Sequence, residues 1–135
     1  AYAVSDGEAA YMDPQQRMLI EDVRHCLARA GTVLRDTAVF VGISSTDYPR
    51  ISVRAGAPVT VYSATGGALS VAAGRISYVF ALKGPSTIVD TACSSSLVGT
   101  HLAVLSLRQH DSDAAVCAGV NITVSEDTTA MFKRV

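Results

Sequence analysis

The stretch that most limits what this chain can become is Asp90-Thr91-Ala92-Cys93-Ser94-Ser95-Ser96-Leu97. A short β-like run, Thr87-Ile88-Val89, leads into it, and a long apolar run with helical character, residues 97–107, leads out. A strand, a sharp turn of small residues and a helix therefore meet at a thiol. A cysteine at a helix N-terminus faces the positive end of the helix dipole and several unpaired backbone N–H groups. Both stabilise the thiolate, which is the reactive form. The same N–H groups can hold an oxyanion when an acyl group sits on the sulfur. A buried structural cysteine is the competing reading, because free cysteine is among the most buried residue types. The spacing alone leaves both open.

Around this centre the chain alternates between strand-like and helix-like segments. Residues 1–11 lack periodicity and read as loop. Asp13-Pro14-Gln15-Gln16 has the form of a helix start: Asp13 can cap, Pro14 suits the first turn, and Gln16 stands where a capping-box partner would. Leu19, Val23, Cys26, Leu27 and Ala30 then recur at helical spacing, and Gly31 fits the stop. Cys26 is expected to pack in the core on that face, with Arg24 and His25 solvated on the other. Residues 37–43 read as a buried strand. Residues 44–58, with Asp47, Pro49, Gly56 and Pro58, read as an irregular excursion.

Residues 63–80 are rich in Ala, Gly and Ser and read as one helix packed closely on several sides. Gly84-Pro85 breaks the chain before the strand that feeds Cys93. The helix after Cys93 carries apolar residues on most faces and is expected to be central and buried, a rigid platform for a nucleophile. His101 lies eight residues past Cys93, roughly 12 Å along a helix axis, so it is assigned a structural place. Residues 111–113 form a turn. Residues 114–124 read as an interior strand, with Gly119 marking close packing and Cys117 in a packing position. Ser125-Glu126-Asp127 resembles a cap and acidic first turn for a last helix, cut short at Val135.

The alternation implies an α/β fold with a mixed or largely parallel sheet. At 135 residues the chain has the size of one domain. Hydrophobic residues make up 49% and charged residues 17%, enough apolar material for a core and for a large buried interface. The net charge of −1, with no basic cluster, argues against nucleic acid or an anionic membrane as partner. No apolar run reaches the roughly 18 residues of a membrane span, and no signal peptide is in view. Cys26, Cys93 and Cys117 are an odd set without close pairing, expected as reduced thiols in a cytoplasmic protein.

Residues 90–97, DTACSSSL, resemble the active-site stretch of the β-ketoacyl synthases, the condensing enzymes of polyketide and fatty-acid synthases. Further stretches agree in the same order: YMDPQQRMLIE at 11–21, VFVGISS at 39–45 followed by Asp47 and Tyr48, AGRISYVFALKGPS at 73–86, and AGVNITV at 118–124. The MDPQQR wording is most similar to the type I modular polyketide synthases. The resemblance implies a thiolase-like layered fold of two similar halves. Residues 1–135 would then be most of the first half of a β-ketoacyl synthase domain, truncated at both ends and lacking the opening strand.

It also implies that Cys93 is the catalytic nucleophile and that its backbone N–H is one oxyanion donor. Cys93 would accept an acyl chain from the phosphopantetheine of an acyl carrier protein, with no cofactor bound by this domain. A homodimer and neighbouring synthase domains are implied as partners. The two histidines that assist the family's decarboxylative step lie in stretches not present here, and His25, His101 and His110 stand in non-matching contexts. Departures from the family pattern are a short connection at 32–36 and alanine at 38 and 118, where glycine is common. Two other readings stay open: a non-catalytic remnant that only pairs with another chain through the strand before Cys93, and a cysteine hydrolase or redox thiol on an unrelated fold. Half of a two-half core would expose a large apolar face, so these residues alone are expected to aggregate or pack loosely, and to be inactive.

Overall fold

The computed structural model describes residues 4–32 and 35–134. The first three residues of the expected N-terminal loop, the middle of the 32–36 connection and Val135 lie outside them. Within these limits the elements alternate: α1 (Asp6–Tyr11), α2 (Pro14–Ala30), β1 (Thr37–Gly42), α3 (Tyr48–Arg54), α4 (Val61–Gly67), α5 (Leu69–Val79), β2 (Ser86–Val89), α6 (Ser95–Arg108), β3 (Ala114–Gly119) and α7 (Glu126–Phe132). All pairing is parallel, in the order β2-β1-β3. Parallel neighbours need crossover connections, and α5 and α6 supply them.

β1 is buried along its whole length because both of its faces are covered. Val39 and Val41 point to one side and pack with Leu19, Val23, Ala72, Ala73, Ile76 and Leu82 from α2, α5 and the turn after it. Ala38 and Phe40 point to the other side, against Ala103 of α6. The two-residue period of a strand thus feeds two cores, and the result is three layers: α2 and α5, the sheet, then α6. The register sets Val116 of β3 beside Val39 and Cys117 beside Phe40, so β3 divides its side chains in the same way.

Local signals explain several boundaries. The Asp13 carboxylate accepts the Gln15 N–H at 2.8 Å, and Pro14 opens α2, as expected. Gly31 ends it in the left-handed conformation, φ 72°. Ser125 caps α7 by accepting the Asp127 N–H at 3.2 Å.

Other expectations are corrected. Gln16 does not reach back to its own helix start: its amide donates to the carbonyls of Thr65 and Ala68, and its oxygen accepts from Arg75 at 2.8 Å. That bonding stabilises the break at Ala68, which divides the expected single helix into α4 and α5. Two glycines before the break allow tight approach: a Cβ on Gly66 would fall 2.1 Å from the Tyr11 carbonyl oxygen, and one on Gly67 2.2 Å from the Pro49 ring. Residues expected to be loop form α1, capped by Ser5, and the excursion at 44–58 contains α3.

Cys26 is exposed rather than in the core, because the last turns of α2 run past the elements that cover its middle. β3 stops at Gly119 and is an edge strand among the described residues, not an interior one, since β1 holds the centre. α6 is covered on one side only. Its small residues Ser95, Gly99, Ala103 and Ser106 face the sheet, while Leu97, Val104 and Leu107 are 73%, 39% and 39% exposed. Small residues at the contact let the helix lie close to β1 and β3, which leaves its large apolar side chains on the outer side. No helix among the described residues is long and apolar enough to cross a membrane.

Candidate active site

The three strands end together at Gly42, Val89 and Gly119, and the chain after β2 turns there into α6. Hydroxyl and carboxylate side chains hold this turn. Asp90 accepts the Ala92 N–H at 3.1 Å. Ser95 Oγ accepts the Thr91 N–H at 2.9 Å and donates to the Ala92 carbonyl at 2.6 Å. Ser94 Oγ donates to the Thr91 carbonyl at 2.8 Å. Ala92 sits at φ +55°, a left-handed conformation that costs a non-glycine residue about 1–3 kcal/mol and persists only where its surroundings over-determine it. Residues 92–94 make one 3-10 turn, so Cys93 stands exposed at the head of α6.

Two glycines seat the helix start. A Cβ on Gly42 would lie 2.7 Å from the Ser96 backbone nitrogen, and one on Gly119 2.8 Å from Ser96 Cβ. The close packing expected at Gly119 is thus found, and Gly42 does the same from the central strand. A glycine closing a buried strand was the available signal for it.

Cys93 opens onto a cleft of about 910 Å³ at the C-terminal ends of the strands, where ligands bind in open α/β sheets. Ser44, Asp47 and Arg50 form one wall; Val120, Asn121 and Thr123 form another. Asp47 is buried and joins the walls by accepting from the Ser125 N–H at 3.3 Å, Thr128 Oγ1 at 2.9 Å and Arg50 at 3.3 Å. Its role was not legible in the sequence, because the partners on the other wall lie 78 and 81 residues away. At the surface the same two helices, α3 and α7, are bridged by Arg54 and Asp127. The hydrogen bond and charge of Arg54 hold the Asp127 carboxyl below the ordinary value of 3.8.

The other candidate groups fall elsewhere. His25, His101 and His110 are exposed and none lines the cleft, so His101 is a surface residue rather than a structural one. Cys117 is half-buried under α6, 3.4 Å from Thr100 Oγ1, in the packing position expected. Cys26 is on α2, away from the cleft lining.

The family model for the beta-ketoacyl synthase N-terminal domain matches residues 1–135. The lovastatin nonaketide synthase of Monascus pilosus is 47% identical over 132 residues, which is 94% of this chain and 4% of that protein. A hybrid PKS-NRPS synthetase of Aspergillus flavus is 48% identical over 120 residues, 85% of this chain and 3% of that one. Among solved structures, the ketosynthase from module 6 of the bacillaene synthase of Bacillus subtilis superposes with a TM-score of 0.84 at 31% identity, over 98% of this chain and 23% of that one. An oxazolomycin ketosynthase domain of Streptomyces albus gives 0.85 at 34% identity, over 96% and 23%. The chain thus spans about 4% of the length of these large synthases and about a quarter of the solved ketosynthases. The parallel sheet and the thiolase-like layering have their counterpart in that group, and the chain belongs to the beta-ketoacyl synthase family, as part of a ketosynthase domain of the polyketide synthase kind.

Proposed function

We propose that Cys93 accepts an acyl chain from a thioester on the phosphopantetheine arm of an acyl carrier protein. The observation that supports this most directly is an exposed thiol, set by a left-handed alanine at the head of a helix, facing a cleft large enough for an acyl chain. In the transfer the sulfur attacks the thioester carbonyl. A new carbon–sulfur bond forms on Cys93, the bond to pantetheine breaks, and the pantetheine sulfur takes up the proton that Cys93 gives away. The Cys93 backbone N–H, at the start of the helix, serves as one oxyanion donor. The acyl-cysteine then reacts with a malonyl-type extender. Loss of carbon dioxide leaves a carbanion that attacks the acyl carbon and forms the new carbon–carbon bond, while the carbon–sulfur bond breaks and Cys93 leaves as the thiolate, which takes a proton back from solvent.

The histidines for the decarboxylative step lie outside residues 1–135 on this reading, which are the first part of a longer ketosynthase domain. Neighbouring synthase domains and a second copy of the chain complete the assembly, and the domain carries no cofactor of its own. The uncovered apolar side of α6 supports the view that further protein packs there.

Incubation of the full-length protein with an acyl-pantetheine thioester, followed by peptide mass mapping, tests the reading. The acyl mass should sit on the peptide carrying Cys93, and Cys93→Ala should abolish it. An acyl group on Cys26, or on no cysteine of a folded protein, would overturn the proposal.

A further inference from the structure

We infer that Gln15 is a positioning residue that sets the separation of the two cleft walls, and through it the size of acyl chain admitted to Cys93. The inference rests on the acyl-transfer reading above. Gln15 is 2% exposed, and its amide is used at both ends. Nε2 donates to the Ser45 carbonyl at 2.9 Å, and Oε1 accepts the Ile122 N–H at 3.0 Å. Ser45 follows the end of β1 and Ile122 follows the end of β3, so one side chain from α2 spans the two segments that wall the cleft. The helix is itself held to the first wall. The Asp13 carboxylate accepts the Gln15 N–H with one oxygen and the Thr46 hydroxyl with the other, while the Asp13 N–H donates to the Gly66 carbonyl at 2.8 Å.

The chemistry of an amide suits this place. It is a rigid group of fixed length, with a donor at one end and an acceptor at the other. An apolar side chain of equal size would leave the Ser45 carbonyl and the Ile122 N–H without these partners, and buried backbone groups seek partners elsewhere. The segments would then separate to reach water. Beside Gln15 the link is weak, Ser45 Oγ to Asn121 Oδ1 at 3.5 Å on the exposed rim, and the stronger ties of Asp47 to Ser125 and Thr128 lie further along, so the walls would part first at Ser45 and Ile122. Gln16, one position along, makes three side-chain bonds to the two of Gln15, but all toward α4 and α5, away from the cleft. Adjacent glutamines of one helix thus have separate duties, and the second is a control for the first.

The test uses the full-length protein with Gln15→Met and Gln16→Met. Cys93 is labelled with iodoacetamide and with a long-chain N-alkylmaleimide, and loaded with short-chain and ten-carbon acyl-pantetheine thioesters. Rates are read on the Cys93 peptide by mass spectrometry. Gln15→Met should raise the long-to-short rate ratio by about tenfold or more, the scale on which a pocket change of about one methylene discriminates substrates. Gln16→Met should lower the melting temperature but keep that ratio within about twofold. An unchanged ratio in Gln15→Met, or an equal shift in both variants, would overturn the inference. If Gln15→Met fails to fold, Gln15→Asn keeps the amide one methylene too short to span both partners, and the same criterion applies to it. If the wild-type protein loads no acyl group on Cys93, the acyl-transfer reading fails, while the alkylation ratio still decides whether Gln15 sets the gap.

Discussion

Gly42→Ala is the substitution whose outcome follows most directly from the geometry. The added methyl would lie 2.7 Å from the Ser96 nitrogen, 2.8 Å from the Ser95 carbonyl carbon and 2.9 Å from Ser96 Cα. All three are backbone atoms, so no rotamer change relieves the contact. Ordinary contact begins near 3.4 Å, so the first turn of α6 must move by about 0.7 Å away from β1. It cannot tilt freely, because Ser96 also rests on Gly119 and Ser95 is tied to Thr91 and Ala92. Overpacking of this kind costs about 1–3 kcal/mol. A domain with the usual margin of about 5–15 kcal/mol stays folded through that loss, so stability alone leaves activity almost unchanged.

The displacement, however, carries Cys93, one turn before Ser96. A shift approaching 1 Å at a reacting group costs on the order of 100-fold in rate, so Cys93 loading should fall about 10- to 100-fold. The assay pairs urea melts with acyl loading followed by mass spectrometry, on the full-length protein. Gly74→Ala is the matched control. Beyond its own helix backbone and chain neighbours, no heavy atom stands within 4 Å of its added methyl, on the exposed side of α5, so it should leave loading intact and stabilise by up to about 1 kcal/mol. Wild-type loading in Gly42→Ala would refute the claim that this glycine sets the position of Cys93.

Ala92→Gly should be neutral or stabilising by about 1 kcal/mol, since glycine adopts φ +55° freely. Ala92→Val should destabilise by more than 2 kcal/mol, roughly, and slow iodoacetamide labelling of Cys93, because a β-branched residue resists that conformation. The Arg54–Asp127 bridge has a pH signature. The Asp127 carboxyl is held below its unfolded value of 3.8, so its contribution is present well above that value and disappears as pH falls through the folded value. Arg54→Met should therefore lower the melting temperature slightly and equally between pH 5 and 7, and the gap should close in stronger acid. A gap that widens on acidification would contradict this assignment.

Much of the site was legible because it is local. Residues 87–107 contain the strand, the turn, the thiol and the helix in one continuous run, and the caps at Asp13 and Ser125 depend on neighbours two residues away. The resemblance to condensing enzymes rests on the same local stretches. Readings that needed a distant partner were less secure. Gln16 has the right spacing for a capping box, yet its amide is drawn to carbonyls 49 and 52 residues along the chain. Cys26 has the spacing of a core face, yet the face runs out of cover before it. The apolar content of α6 is visible in the sequence, but not which of its sides the sheet would take.

By itself, then, the sequence determined the α/β alternation, the place of Cys93 between a strand and a helix, and the family, because periodicity, capping and short motifs act over a few residues. The tertiary structure alone decided that β1 is central, that Gly42 and Gly119 seat the head of α6, and that Gln15 and Asp47 hold the cleft walls. Those are matters of contact between segments tens of residues apart, and a buried polar side chain shows its purpose only when both of its partners are in place.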